Sequence, residues 1–175
     1  KIREQCGQID VIVYAVSAPI NHIPALNLKW ADLDNHLKAQ LQGFFHAIQG
    51  LREQIAAKKK TKFIVILSEV CVGRPPVRLA HYTAAKYALM GFAKSAASEL
   101  GRLGCTINMI SPGMVATELI KTFPSKAVEM AATDNPVGRI ATPADVANVV
   151  AFLASDDADY INGAHLTVNG GGVML

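Results

Sequence analysis

A tyrosine and a lysine stand four residues apart near the middle of the chain, at Tyr82 and Lys86. In a helix this spacing puts both side chains on one face, so the ammonium group would lie beside the phenol. A nearby positive charge favours the phenolate and lowers the pKa of the tyrosine. Such a tyrosine could exchange a proton with a carbonyl or alcohol oxygen near neutral pH. Taken alone, the spacing is also typical of an amphipathic tyrosine beside a surface lysine.

The sequence around this pair alternates strand-like and helix-like segments. Four short apolar runs each predict a buried strand: residues 10–15, 63–67, 105–110 and 165–168. Apolar residues at helical spacing predict helices over residues 29–57 and 80–101, and a further helix that opens at Thr142. Buried strands joined by helices indicate an α/β fold, with a parallel sheet covered by helices on both faces. Ligands bind beyond the carboxyl ends of the strands in such sheets.

Composition narrows the class of protein. The chain of 175 residues is predicted to form a single domain, residues 1–175. A net charge of +3 is too small to indicate a nucleic-acid partner, and no apolar run is long enough to predict a membrane partner. The 3 cysteines and 5 histidines lack the spacing of a disulfide framework or a metal site. This cysteine usage favours a reducing, cytoplasmic compartment.

Four motifs in this order resemble the short-chain dehydrogenase/reductase family, from about residue 9 to residue 171. They are Tyr82 with Lys86, the Ser-Pro-Gly turn within residues 108–117, the Thr-Pro-x-Asp-Val-Ala segment at 142–147, and the Asn-Gly-Gly ending near 169–171. The resemblance implies a Rossmann-type doubly wound parallel sheet and an oxidoreductase that depends on NAD or NADP. Within the family it looks most like the 3-oxoacyl-carrier-protein reductases, so the expected reaction interconverts a ketone, including a 3-oxoacyl thioester, and a secondary alcohol. It also implies a homodimer or homotetramer acting on a small-molecule carbonyl or alcohol.

The resemblance assigns roles residue by residue. Tyr82 would be the general acid/base, and Lys86 would lower its pKa and hold the ribose hydroxyls of the nicotinamide half. Gln40 stands where the family has an active-site asparagine, and it lengthens that side chain by one methylene. The remaining matched positions would contact the cofactor along its nicotinamide or adenosine portion: Ala15, Val16, Pro112, Gly113, Val115 and Thr117.

The position of the catalytic serine is ambiguous. The family places it about 13 residues before the tyrosine, which falls here on Glu69, whereas Ser68 lies one residue earlier. Within a strand, a shift of one residue turns a side chain to the opposite face, so only one of the two would face the site. An ionised Glu69 there would repel a developing oxyanion. Both assignments remain open from the sequence.

The N-terminal strands and the glycine-rich phosphate loop of the family have no counterpart in this chain. None of the 13 glycines shows the Gly-x-x-x-Gly-x-Gly spacing. We therefore expect the chain to be the C-terminal portion of the family's fold. Two alternatives to an active enzyme follow: a catalytically silent subunit that only oligomerises, or a fragment that is inactive because its cofactor half is missing.

Overall fold

A four-stranded parallel sheet forms the centre of the computed structural model, which describes Gln5 and residues 7–174. The strands lie side by side in chain order: β1 Val11–Tyr14, β2 Thr61–Ile66, β3 Cys105–Pro112 and β4 His165–Val168. The four predicted strands and their parallel arrangement are therefore confirmed. Because all strands run in one direction, their carboxyl ends meet at one edge of the sheet, where the chain enters the loops that hold the candidate site.

Helices connect the strands and cover both faces of the sheet. Their bounds are α1 Trp30–Leu37, α2 Gly43–Gly50, α3 Arg52–Ala56, α4 Ala80–Leu100, α5 Ser125–Thr133 and α6 Pro143–Ala154. On one face, Phe44 of α2 and Leu89 of α4 pack with Phe63 of β2. On the other face, Leu153 of α6 packs with Ile64, the next residue of β2. The alternation of adjacent strand residues between two apolar layers confirms the doubly wound arrangement.

Local sequence signals account for the helices that flank the site. The helix α4 is followed by a 3-10 turn and by Gly104, whose φ of +80° suits a residue without a side chain. The helix α6 begins with the predicted cap, in which the Thr142 hydroxyl accepts a hydrogen bond from the Asp145 backbone and the Asp145 carboxylate accepts one from the Thr142 backbone. Among the described residues, no helix combines the length and apolarity needed to cross a bilayer.

The prediction of one continuous helix over residues 29–57 was wrong. A five-residue π-helical turn, Lys38–Gln42, separates α1 from α2, and Leu51 separates α2 from α3. Within the π turn, the Ala39 carbonyl accepts a hydrogen bond from the Tyr14 hydroxyl at the end of β1. A Cβ at Gly43 would lie 2.1 Å from that hydroxyl oxygen, so the approach of Tyr14 requires glycine there. The apolar stripe continues through the interruption, which is why periodicity did not reveal it.

Candidate active site

Tyr82 and Lys86 lie together in the first turns of α4, facing the carboxyl end of β2. Both side chains are buried, with 6% of Tyr82 and 3% of Lys86 exposed. The Lys86 Nζ atom donates a hydrogen bond to the Ile66 carbonyl oxygen, the last residue of β2, at 2.9 Å. The same nitrogen lies 5.7 Å from the centroid of the Tyr82 ring. The helical spacing thus brings phenol and ammonium together, with the ammonium over the ring and bonded to backbone.

Burial dominates the ionisation of this pair. Desolvation raises the pKa of the Tyr82 phenol to about 12 and lowers the pKa of the Lys86 ammonium to about 8. The expectation that the lysine charge lowers the pKa of Tyr82 is therefore not met in this structure. The physical reason is that desolvation of the phenol is the largest influence on it, while the ammonium group is bonded to the Ile66 carbonyl. Near neutral pH the phenol holds its proton and can donate it.

Ser68 lies beside Tyr82 because the strand ends before it. The strand β2 stops at Ile66, and Ser68 opens a short 3-10 turn over Glu69–Cys71, where its Oγ accepts a hydrogen bond from the Val70 backbone at 3.4 Å. The Ser68 side chain lies near the Tyr82 phenol and lowers its pKa, but burial raises that pKa by more. Strand alternation does not apply once the strand has ended, so Ser68 reaches the phenol.

The Ser68 backbone is held by a series of hydrogen bonds that runs from β4 through β3. The Ser111 hydroxyl in β3 donates to the Ser68 backbone carbonyl at 2.8 Å, and the Ser111 Oγ lies 2.6 Å from the Nε2 atom of His165 in β4. Ser111 has one hydroxyl proton, which forms the hydrogen bond to the Ser68 carbonyl. In the contact with His165 the Ser111 oxygen must therefore accept, so His165 Nε2 carries a proton and donates it. Burial lowers the pKa of His165 and favours its neutral form.

Nothing in the sequence singles out Ser111 or His165 for this arrangement. Ser111 directly precedes the Pro-Gly turn, which is the one local signal near it. The two residues are 54 positions apart and meet only through the pairing of β3 with β4. Contacts of this kind depend on strand register, which sequence patterns do not specify by themselves.

Gln40 lies in the π turn, fully buried, within a cluster of aromatic and polar side chains next to Tyr82. Its Nε2 atom donates to His36 Nδ1 at 3.3 Å, and the His36 ring lies 5.8 Å from the Tyr82 ring and 4.8 Å from the His81 ring. Burial lowers the pKa of both histidines. Among the described residues, Gln40 Oε1 and both ring nitrogens of His81 have no hydrogen-bond partner. The structure therefore brings Gln40 into the vicinity of Tyr82 through His36.

The residues matched to the cofactor lie at the same edge of the sheet. Pro112 ends β3 and is buried, and Gly113 follows it. Val115 forms a bridge with Ala141, while Thr117 is exposed and its hydroxyl donates to the Val115 carbonyl at 3.4 Å. On the neighbouring side of the edge, two exposed residues follow β1: Ala15 and Val16.

Two observations test whether these residues suit a nicotinamide ribose. A Cβ added at Gly113 would lie 3.2 Å from both Asn169 and the Glu69 carboxylate, so the glycine keeps a narrow passage open. Lys86 has three N–H donors, and among the described residues it uses one, on the Ile66 carbonyl. The remaining donors can serve ribose hydroxyls, so the residues present fit this part of the cofactor.

Comparison with known proteins identifies the family. A sequence profile described as "Enoyl-(Acyl carrier protein) reductase" matches residues 1–172. The chain is 33% identical, over 175 residues, to the 3-oxoacyl-(acyl-carrier-protein) reductase FabG of Staphylococcus aureus, covering 99% of this chain and 70% of that protein. The chain belongs to the short-chain dehydrogenase/reductase family. The resemblance expected from the four motifs is thus confirmed.

Two solved dehydrogenase structures share the fold. A gluconate 5-dehydrogenase from Burkholderia cenocepacia, in complex with NADP and tartrate, superposes with a TM-score of 0.89 at 26% identity, covering 97% of this chain and 67% of its own. A 4-hydroxyisoleucine dehydrogenase mutant complexed with NADH and succinate also gives 0.89, at 25% identity, covering 98% of this chain and 71% of its own. Family membership makes this chain an oxidoreductase of small molecules with a nicotinamide cofactor. The neighbours include both cofactors, so they do not distinguish NAD from NADP.

Proposed function

We propose that this site interconverts a ketone and a secondary alcohol, and that a 3-oxoacyl thioester is the first substrate to test. The observation that carries the proposal is the proximity of the Ser68 side chain to the buried Tyr82 phenol, whose pKa Ser68 lowers. Both hydroxyl groups can donate to a single carbonyl oxygen. The identity to 3-oxoacyl-(acyl-carrier-protein) reductases supports the choice of first substrate.

Tyr82, Ser68 and Ser111 have different roles in the proposed reduction. Tyr82, protonated near neutral pH because burial raises the pKa of its phenol, gives its proton to the carbonyl oxygen as negative charge develops there. The Ser68 hydroxyl donates a hydrogen bond to the same oxygen, and Ser111 fixes Ser68 by holding its backbone carbonyl. The nicotinamide cofactor of the family supplies the hydride when it is bound. In the reverse reaction, Tyr82 takes back the proton from the alcohol.

The cofactor is proposed to bind along the edge formed by the ends of β1, β2 and β3. Lys86 would donate to the ribose hydroxyls with the N–H groups that it does not use on Ile66. The matched residues after the strands would line the rest of the path: Ala15, Val16, Pro112, Gly113, Val115 and Thr117. Gln40, next to Tyr82 through His36, is proposed to keep the catalytic role of the family's asparagine with a longer arm.

The Tyr82→Phe substitution tests this function. With a 3-oxoacyl thioester or another ketone and either NADH or NADPH, the variant should lose at least roughly a hundredfold in turnover, the low end for general acid catalysis. The exposed Tyr87 on the same helix provides the matched control, since Tyr87→Phe should leave turnover unchanged. Full activity of Tyr82→Phe would refute the mechanism. Wild-type protein that turns over no ketone with either cofactor would favour a catalytically silent subunit.

We also propose that the chain forms a homodimer or homotetramer through α2 and α4. Phe45 on α2 and Tyr87 on α4 are each 41% exposed, and a Cβ at Gly91 of α4 would meet no atom within 4 Å. An exposed apolar face with small residues allows a second pair of helices to approach closely. Sedimentation should give a dimer or tetramer at tens of micromolar, and a clean monomer at that concentration would contradict the proposal.

We propose a cytoplasmic location because the cysteines in the described part of the chain are free thiols. Cys71 and Cys105 are both buried and free, and Cys6 lies outside the described residues. Burial raises the pKa of the Cys71 thiol to about 11, which leaves it protonated and unreactive near neutral pH. Free thiols of this kind are typical of proteins from a reducing compartment.

A further inference from the structure

Glu69 is the charged group near Tyr82 to which the proposed mechanism gives no role. It follows Ser68 directly, and its side chain is half-buried. Within the described part of the chain, no hydrogen bond or ion pair engages its carboxylate, and burial alone raises its pKa. A carboxylate that loses part of its water without gaining a donor is destabilised, so such a residue calls for an explanation.

Glu69 lines a cavity of about 590 Å³. Its Oε2 atom would lie 3.2 Å from a Cβ at Gly113 and 3.9 Å from a Cβ at Gly172, so glycines surround it on two sides. Met114, Asn135 and Asn169 complete this part of the lining. The volume is within the usual range for small-molecule sites, and mixed apolar and polar walls are typical of them. Glu69, the residue that follows Ser68 in the sequence, is therefore part of the wall of this cavity.

The other polar groups of the cavity are already engaged with each other. The Asn135 amide donates to the Asn169 carbonyl at 2.8 Å, and its oxygen accepts from the Val137 backbone at 2.9 Å. Arg139 forms a two-pronged ion pair with Asp145, at 2.7 and 3.0 Å. None of these side chains donates a hydrogen bond to Glu69 in the described structure. An ionised carboxylate only accepts hydrogen bonds, so the group that completes it must be a donor.

We infer that Glu69 accepts a hydrogen bond from the substrate, so that the preferred ketones carry an O–H or N–H donor a few atoms from the reacting carbonyl. The inference rests on the proposed ketone site, because Ser68 and Tyr82 set the position of that carbonyl. A neutral hydroxyl, an amide N–H or an ammonium group would each supply the shared chemistry. A ketone with a purely apolar chain would leave the carboxylate unsatisfied.

Binding without turnover provides the test. The probes are 4-hydroxy-2-butanone and its methyl ether, 4-methoxy-2-butanone, titrated into the full 175-residue chain while backbone amide NMR signals are recorded. The hydroxy ketone should bind roughly ten- to a hundredfold more tightly, the range for a hydrogen bond to a charged group. The largest shifts should fall on the amides of Gly113 and Gly172. In Glu69→Ala the preference for the hydroxy ketone should disappear.

Two further measurements distinguish a charged donor from a neutral one and control for the change in net charge. An ammonium analogue, 4-amino-2-butanone, should bind to Glu69→Gln much more weakly than to wild type if charge matters, whereas the hydroxy ketone should keep part of its affinity for that variant. The exposed Glu99→Ala change controls for net charge and should preserve the preference. Equal binding of hydroxy and methoxy probes to wild type, or a preference that survives Glu69→Ala, would overturn the inference. Selective binding without reduction would instead refute only the proposed reaction.

Discussion

Replacing Lys86 with methionine should make the protein more stable near neutral pH while removing its activity. Lys86 is 3% exposed, and desolvation lowers the pKa of its ammonium from 10.5 to about 8. Methionine has a similar length and is apolar, so it can occupy the same space without burying a charge. Burial of the charged Lys86 therefore lowers the free energy of unfolding. The proposed role of Lys86 in cofactor binding requires it to be buried at this position.

The size of that cost follows from the displacement of the pKa. At 1.36 kcal/mol per pKa unit, the change from 10.5 to about 8 corresponds to about 3 kcal/mol. The variant also loses the hydrogen bond from Lys86 to the Ile66 carbonyl, worth about 1 kcal/mol. The net gain of Lys86→Met at pH 7 should therefore be about 2 kcal/mol.

The dependence on pH distinguishes this explanation from ordinary repacking. Below pH 8 the lysine is charged in both folded and unfolded chains, so the wild type bears the whole cost. Between about pH 8 and 10.5 the folded form becomes neutral first and the cost declines, and above 10.5 it is gone. The advantage of the variant should therefore be greatest below pH 8 and vanish at about pH 10. Above pH 10.5 the variant should be less stable by about 1 kcal/mol, because only the lost hydrogen bond then remains.

Urea unfolding of both proteins at a series of pH values measures this difference directly. Subtracting wild type from variant cancels groups that titrate independently of Lys86, such as Tyr82. The exposed Lys94→Met on the same helix is the matched control and should change stability by less than about 0.5 kcal/mol. A variant that is less stable at pH 7, or whose advantage does not depend on pH, would refute the desolvation argument.

Two other substitutions test how the site is held. Gly43→Ala should destabilise the chain by about 1–3 kcal/mol, because its Cβ would lie 2.1 Å from the Tyr14 hydroxyl oxygen. In urea unfolding the loss should be smaller in a Tyr14→Phe background, and additive losses would contradict the clash. Ser111→Ala should lower kcat roughly fivefold with KM unchanged, since it releases the Ser68 backbone at a cost of about 1 kcal/mol. Combining it with His165→Ala should cost little more, and a fully additive kcat loss would show that the two residues act separately.

The sheet and the Tyr82–Lys86 pair could be predicted because their signals are local. A run of branched apolar residues such as Phe63 to Val65 favours a buried strand wherever it is placed, and its alternation fixes which residues face each layer. A spacing of four residues in a helix decides that Tyr82 and Lys86 share a face. The capped start of α6 at Thr142 is equally local. Each of these features needs no knowledge of distant contacts.

The ionisation of the pair was not predictable in the same way. Spacing indicates that a cation lies near the Tyr82 phenol, and that influence alone would lower its pKa. The opposite direction in the structure comes from burial, which depends on the elements that cover the start of α4. His36 illustrates the same limit, because it contacts Tyr82 and His81 only through the packing of α1 on α4.

The choice between Ser68 and Glu69 also depended on distant residues. The proposed assignment to Ser68 rests on the end of β2 at Ile66 and on the hydrogen bond from Ser111, 43 residues later, to the Ser68 carbonyl. The Glu69 carboxylate lies near Gly113 and Gly172, and we propose that it acts on the substrate and does not replace the catalytic hydroxyl.

The departures from the family pattern are physically connected. The Tyr14 hydroxyl donates to the Ala39 carbonyl within the π turn that also contains Gln40. Beside Tyr82, the Lys86 ammonium is bonded to the Ile66 backbone, and the Ser68 side chain lies close enough to lower the pKa of the phenol. The partners around Tyr82 are mixed, because Gln40 Oε1 and both ring nitrogens of His81 lack a hydrogen bond among the described residues. Tyr82, Lys86 and Ser68 are nevertheless all present at this edge of the sheet, so we favour a changed substrate preference over a silent subunit, and the unpaired Glu69 carboxylate is where that preference would be set.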